Sequence, residues 1–169
     1  HGAGNDYIYM NGFVQEIENP SALAIRLSNR NFGIGSDGLV LILPSENSDF
    51  RMQMFNSDGS EAEMCGNASR CVGKYVYDNG LTTKKEIALE TKAGVKYITL
   101  LEGDEKARKV TVDMGEPILD PEQIPVKVDK EPVLNFPLDI DGKIWEISCV
   151  SMGNPHAVVF TTGIKELDL

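Results

Sequence analysis

Alternating apolar and polar residues predict several half-buried strands. Successive side chains of a strand point to opposite faces, so a period of two indicates a sheet with one covered face. The continuous apolar run at 39–43 is instead typical of a strand covered on both sides. The pattern predicts a mixed or antiparallel sheet, with alternating strands at 50–55, 86–91, 95–101, 110–114 and 145–150.

Two segments have the features of helices. In the first, Asn19 can cap the helix and Pro20 can take its first position, with apolar residues on one face before Gly33. The second has a clearer stripe at helical spacing, a first turn at 66–69 and a C-terminal stop at Gly80. That stripe is formed by Ala68, Cys71, Val72, Tyr75 and Val76.

A proline-rich stretch predicts a passage between two domains. Proline interrupts regular structure, and five prolines fall within 116–137. We therefore expect one domain of strands and a helix at 1–115, and at 116–169 the incomplete start of a second. Because the chain begins with His1 and ends without an obvious terminal element, we expect it to be a fragment.

Composition narrows the classes of partner. Sixteen Lys and Arg against 26 Asp and Glu give a net charge of −10, and no basic stripe predicts a nucleic-acid partner. No apolar run approaches the ~18 residues of a membrane span, so no membrane partner is expected. Three cysteines at irregular positions argue against a disulfide framework and favour a reducing compartment, and we predict a cytoplasmic protein.

Cys65 occupies the position with the strongest chemical signal. It directly precedes the second predicted helix, where exposed N–H groups and the helix dipole favour negative charge and can lower a thiol pKa from about 8.5 toward neutrality. The N–H groups of Cys65, Gly66 and Asn67 can also hold a small carboxylate. This arrangement suits removal of a proton next to a carbonyl carbon.

Other interpretations of the cysteines compete with this one. A cysteine is often only a small buried apolar residue, which is how we interpret Cys71 on the helix stripe and Cys149 in a predicted strand. Cys65 and Cys71 lie six residues apart, about 600° around a helix, so they do not form a zinc motif, and no metal site is expected. A hydrolase that pairs Cys65 with His156 stays open, because such partners meet only in space.

Five separated segments carry a family resemblance: His-Gly-Ala-Gly-Asn-Asp-Tyr at 1–7, Asn-Phe-Gly-Ile-Gly-Ser-Asp at 31–37, the long segment 55–71 with Met-Cys-Gly-Asn at 64–67, Met-Gly-Glu-Pro at 114–117, and Ser-Met-Gly-Asn-Pro-His at 151–156. Together they resemble the diaminopimelate epimerases over nearly the whole chain. Each glycine turn alone is uninformative. The long segment is specific, and its collinearity with 151–156 makes coincidence implausible.

The resemblance implies a fold and an activity. In this α+β family, each of two pseudo-symmetric domains wraps a mixed sheet around a central helix. Its members interconvert LL- and meso-diaminopimelate, for lysine and peptidoglycan, with two cysteines on opposite faces of the α-carbon and without pyridoxal phosphate or metal. The resemblance thus implies an isomerase with a small-molecule substrate, no cofactor, and commonly a homodimer.

Site residues carry over only at matching positions. Cys65 would be one of the catalytic pair, and His156 would adjust the pKa of the thiols. Five residues would bind substrate: Asn5, Asn56, Gly66, Asn67 and Asn154. For Asn56 and Asn154, capping of a nearby turn is the structural alternative.

Two departures from the family pattern qualify the resemblance. Many members carry Gln where this chain has Gly38. The second catalytic cysteine belongs to a later Ala-Cys-Gly motif that neither Cys71 nor Cys149 matches, so we expect the fragment alone to be inactive.

Rival assignments remain at this point. The proline racemase-like isomerases share the two-cysteine chemistry, but they put His after Cys-Gly where this chain has Asn67. The phenazine-biosynthesis-like isomerases lack that chemistry. From a different class, the chain could be a module that binds an amino acid without converting it.

Overall fold

The computed structural model describes residues 1–101, 103, 105–164 and 167. It divides into two compact units, unit 1 at His1–Met114 and unit 2 at Gly115–Leu169. No helix among the described residues is long and apolar enough to cross a membrane.

Unit 1 is built on a mixed, curled sheet. Its strands follow the order β1-β2-β3-β5-β6-β7, and β4 pairs with β3 at the side of this path. The pairs β1–β2 and β3–β5 are parallel and the others antiparallel, which confirms the predicted mixed sheet. The strands are β1 Tyr7–Asn11, β2 Gly38–Leu43, β3 Phe50–Asn56, β4 Glu61–Ala62, β5 Glu86–Thr91, β6 Gly94–Leu101 and β7 Lys109–Asp113.

Strand β2 is buried on both faces, as its apolar run predicts. Leu39 and Leu41 belong to one core cluster, with Ala24 of the first helix. Val40 and Ile42 belong to the cluster on the other face, which also contains the buried residues of the second helix. Since successive side chains alternate in direction, β2 contributes to both cores at once.

Both predicted helices are present. Helix α1 spans Pro20–Ser28, and the Asn19 side chain accepts a hydrogen bond from the Ala22 N–H at 3.0 Å, which confirms the predicted cap. Helix α2 spans Gly66–Asp78. Gly80 follows it with φ = 70°, which confirms the predicted C-terminal stop. Along the predicted stripe Ala68, Val72 and Val76 are fully buried, whereas Cys71 and Tyr75 are only partly buried.

Unit 2 contains an antiparallel sheet of the order β10-β9-β8. Its strands are β8 Phe136–Ile140, β9 Lys143–Ser151 and β10 Pro155–Val159. Ile124, Val133 and Cys149 form its buried core, so the prediction of Cys149 as a strand residue is confirmed. The apolar pattern predicts β9 but neither β8 nor β10, because both of those strands are largely exposed.

Asp49 joins the start of β3 to β5. Its Oδ2 accepts the Ala88 N–H at 2.9 Å, while its Oδ1 pairs with Lys84 Nζ. The Lys84 ammonium, together with the Ala88 N–H, holds the pKa of the Asp49 carboxyl below its usual value of 3.8. The carboxylate therefore stabilises the fold above that pH.

We predict that Asp49→Asn lowers the free energy of unfolding at pH 7 by about 1–2 kcal/mol, the usual value of a charge-assisted hydrogen bond. A group with a depressed folded-state pKa loses its contribution as the pH falls through that pKa. The difference between the two proteins should therefore shrink below pH 3.8. Urea unfolding at pH 7, 4 and 3 measures it, and a difference that stays constant with pH would contradict this account.

Candidate active site

Cys65 lies in extended backbone directly before helix α2, with φ = −143° and ψ = 117°. Its side chain makes no capping hydrogen bond to the helix. Instead, the partly buried thiol donates to Asn5 Oδ1, with 3.3 Å between Sγ and oxygen. A residue 60 positions earlier in the sequence therefore contacts the candidate catalytic sulfur.

The register of three strands assembles one edge of the site. Gly38 at the start of β2 pairs with Tyr7 at the start of β1 and with Asn56 at the end of β3. The residues next to these pairs are also joined by backbone hydrogen bonds. The Asp37 N–H donates to Asp6 O at 2.8 Å, and the Ser57 N–H donates to Asp37 O at 3.0 Å. Parallel β1–β2 pairing and antiparallel β2–β3 pairing place these ends at the same edge.

Asp37 is the second partner of Asn5. Asn5 Nδ2 donates to Asp37 Oδ2 at 2.7 Å, and the same oxygen accepts the Asp6 N–H at 3.1 Å. Sequence reasoning missed Asp37, because the glycine-rich turn at 31–37 was interpreted as backbone geometry alone. Its carboxylate after that turn was the available signal.

An exposed arginine completes this acidic edge. Arg30 donates two hydrogen bonds to the Asp6 carboxylate and one to Asp37 Oδ1, at 2.8–3.2 Å. The Arg30 guanidinium holds the pKa of the Asp6 carboxyl below its usual value. Because this ion pair is well exposed to solvent, its effect is on local geometry more than on overall stability.

Two tyrosines of β1 lie near the cysteines. Burial raises the pKa of the Tyr7 hydroxyl, and the neighbouring Cys65 raises it further. Burial also raises the pKa of Tyr9, whose neighbour is the Cys71 thiol. Both phenols therefore stay neutral near pH 7, and both pack against the core cluster that Cys65 also contacts.

The first turn of α2 is available to an anion. The N–H groups of Gly66 and Asn67 have no partner within the helix, as in any first turn. A Cβ added to Gly66 would lie 3.2 Å from Met114 Sδ, so this side of the turn is closely packed. The Asn67 Oδ1 accepts a hydrogen bond from Arg70, and the Asn67 Cβ lies within 3.1 Å of a Cβ built on Gly2.

Asn56 lies at the shared edge, but its side chain is engaged locally. Its Nδ2 donates to Ser60 Oγ at 3.0 Å, and its backbone N–H bonds Ser60 O at 2.8 Å. The side-chain bond goes to a hydroxyl group, whereas in the structural alternative the Asn56 side chain caps a backbone N–H group. Substrate binding by Asn56 stays a prediction.

Gly38 has a packing reason to lack a side chain. A Cβ there would lie 2.1 Å from Phe55 O and 2.9 Å from Tyr7 Cε1. Gly38 has no side chain to contact a ligand, and the Tyr7 ring lies against its backbone.

Asn154 and His156 belong to unit 2. Asn154 lies in the exposed bend between β9 and β10, where its carbonyl accepts the Met152 N–H at 3.3 Å. His156 is an exposed residue of β10, opposite Val150. Their membership of a site with Cys65 remains a prediction.

Known structures define the class of fold. A hydroxyproline epimerase from Agrobacterium vitis, solved with bound trans-4-hydroxy-L-proline, matches with a TM-score of 0.64 and 18% identity, over 94% of this chain and 49% of its own. A Bacillus anthracis phenazine biosynthesis protein matches with a TM-score of 0.56 and 21% identity, over 86% and 46%. This chain shares its fold with these two proteins.

Sequence relatives specify the family within that class. The diaminopimelate epimerase of Acetivibrio thermocellus is 62% identical over all of this chain and 59% of its own length, and that of Desulfovibrio desulfuricans is 56% identical over 99% and 61%. The family model for diaminopimelate epimerase matches residues 1–119. The chain belongs to the diaminopimelate epimerase family, and it spans about 60% of the length of these relatives.

We predict that Gly38→Ala destabilises the protein by about 1–3 kcal/mol, as overpacking does in a close-packed interior. The clashing atom is a backbone oxygen, which cannot move without shifting β3. Thermal or urea unfolding measures the loss. Gly80→Ala is the comparison: a Cβ there meets no atom within 4 Å, so its cost comes from positive φ alone.

Proposed function

We propose that this chain supplies one of the two cysteines of an enzyme that interconverts LL- and meso-diaminopimelate, and that it does so without a cofactor or metal. The observation that carries the proposal is the Cys65 thiol at the start of α2, hydrogen-bonded to Asn5 and adjacent to N–H groups with no partner in the helix. The names of the relatives supply the substrate.

The proposed chemistry is proton transfer at the α-carbon. A thiolate on one face removes the α-proton, and a thiol on the opposite face delivers another, so the centre inverts. The electron pair left on the carbon delocalises into the carboxylate, where the N–H groups of Gly66 and Asn67 stabilise the added charge. Cys65 acts from one face in this scheme, and a cysteine beyond residue 169 acts from the other.

The same scheme assigns the polar side chains. Asn5, Asn56 and Asn154 contact the ammonium and carboxylate groups of the substrate, because an amide both donates and accepts. His156 adjusts the protonation of the thiols. Of the Asn5 amide, one donor is used by Asp37 and one acceptor site by Cys65, which leaves one of each for substrate.

We propose the wider setting from the family resemblance. The product enters the synthesis of lysine and peptidoglycan, and the full-length enzyme is a cytoplasmic homodimer. Residues 1–115 serve as its first domain and 116–169 as the start of its second.

We predict that Cys65→Ala in the full-length protein reduces exchange of the substrate α-proton with solvent deuterium at least about 100-fold, the contribution typical of a general acid or base. Mass spectrometry of diaminopimelate in D₂O measures the exchange. Cys71→Ala is the matched control, since Cys71 is also a partly buried cysteine but lies beyond the first turn of α2, and it should retain most of the exchange. Equal exchange by Cys65→Ala and the parent would refute the proposal.

The 169-residue chain alone should not invert the substrate, because the acid on the opposite face is missing. Chiral chromatography of LL- and meso-diaminopimelate tests this. If the chain binds diaminopimelate by calorimetry but never exchanges its α-proton, even as part of the full-length protein, the chain is a binding module instead.

A further inference from the structure

The side chain of Asp37 has three fixed partners. Its Oδ2 accepts the Asp6 backbone N–H at 3.1 Å and Asn5 Nδ2 at 2.7 Å, while its Oδ1 accepts Arg30 at 3.0 Å. Three hydrogen bonds from three directions leave the carboxylate little freedom to rotate.

This carboxylate determines which way the Asn5 amide points. An ionised carboxylate only accepts hydrogen bonds, so Asn5 must turn its NH₂ group toward Asp37. Its carbonyl oxygen then faces the opposite direction, toward Cys65, and the thiol donates to it at 3.3 Å. With the amide reversed, two oxygens would face each other at Asp37, and an N–H donor would face the sulfur.

We propose that Asp37 is a positioning residue for Cys65. It locks the Asn5 amide in the orientation that presents a hydrogen-bond acceptor to the sulfur, and so directs the hydrogen of the Cys65 thiol at Asn5. This inference deepens the proposed function, on which its catalytic meaning rests. Asp37 itself does not contact the substrate in this scheme.

The orientation has a consequence for both protonation states. The thiol gains an acceptor, whereas a thiolate would face the partial negative charge of a carbonyl oxygen.

Alkylation of Cys65 by iodoacetamide tests the inference without turnover. The thiolate is the nucleophile, so loss of the acceptor should speed the reaction. In the full-length protein without substrate, we expect Asp37→Ala, which removes the acceptor, and Asn5→Ala each to accelerate alkylation about two- to tenfold, the range of one hydrogen bond. Mass spectrometry assigns the site, because trypsin cuts after Arg51 and Arg70 and separates Cys65 from Cys71.

A matched variant and a double variant distinguish the positioning of Asn5 from a general effect of removing a negative charge. Asp6→Ala also removes a carboxylate bound to Arg30, and the hydrogen bonds of that carboxylate go to Arg30. Its alkylation rate should stay close to the parent rate. In an Asn5→Ala background, Asp37→Ala should accelerate alkylation no more than Asp6→Ala does, because the amide through which Asp37 acts is gone.

Three results would overturn the proposal. They are an unchanged rate in Asp37→Ala, an equal acceleration by Asp6→Ala, and an effect of Asp37→Ala that persists in full without the Asn5 side chain. Circular dichroism first verifies folding, and Asp37→Ser, judged by the same criteria, replaces a variant that does not fold. Deuterium exchange into substrate is measured separately, so failure of the epimerase assignment appears there and failure of the positioning role appears in alkylation.

Discussion

The burial of β2 on both faces is the constraint on which unit 1 depends. A strand with apolar side chains on both sides must be covered by two layers, and here α1 covers one face while α2 covers the other. Because β1 and β3 are the hydrogen-bonding neighbours of β2, their positions are fixed along with it. The ends of these three strands, where the polar residues lie, are therefore held by the core rather than by loops of their own.

The chemistry at the start of α2 follows from that arrangement. Cys65 is placed by the helix, and Asn5 and Asp37 are placed by the residues immediately before β1 and β2. The hydrogen bonds from Cys65 to Asn5 and from Asn5 to Asp37 join two separate elements, the sheet edge and the helix start. Groups on rigid elements keep their geometry better than groups on flexible loops. Cys65 directly precedes α2 and packs against the core, so its sulfur lies close to a rigid element.

The apolar pattern of the sequence predicted most elements of unit 1, because these elements are buried either on one face or on both faces. Strands β2, β3, β5, β6 and β7 and both helices lie where the periodicity and caps put them. Strand β1 has no alternation to detect, since all five of its residues are partly buried. In the site, the position of Cys65 at a helix start was predictable from local sequence. Its contact with Asn5 and the role of Asp37 depend on strand register, which local patterns do not encode.

Gly38 shows how a missing side chain shapes a site that it does not enter. Its backbone lies so close to Phe55 that any Cβ requires β3 to move, and Asn56 follows Phe55 directly. The absence of a side chain at residue 38 therefore permits the close approach of β2 to β3, at the same edge of the sheet where Asp37 and Asn56 lie.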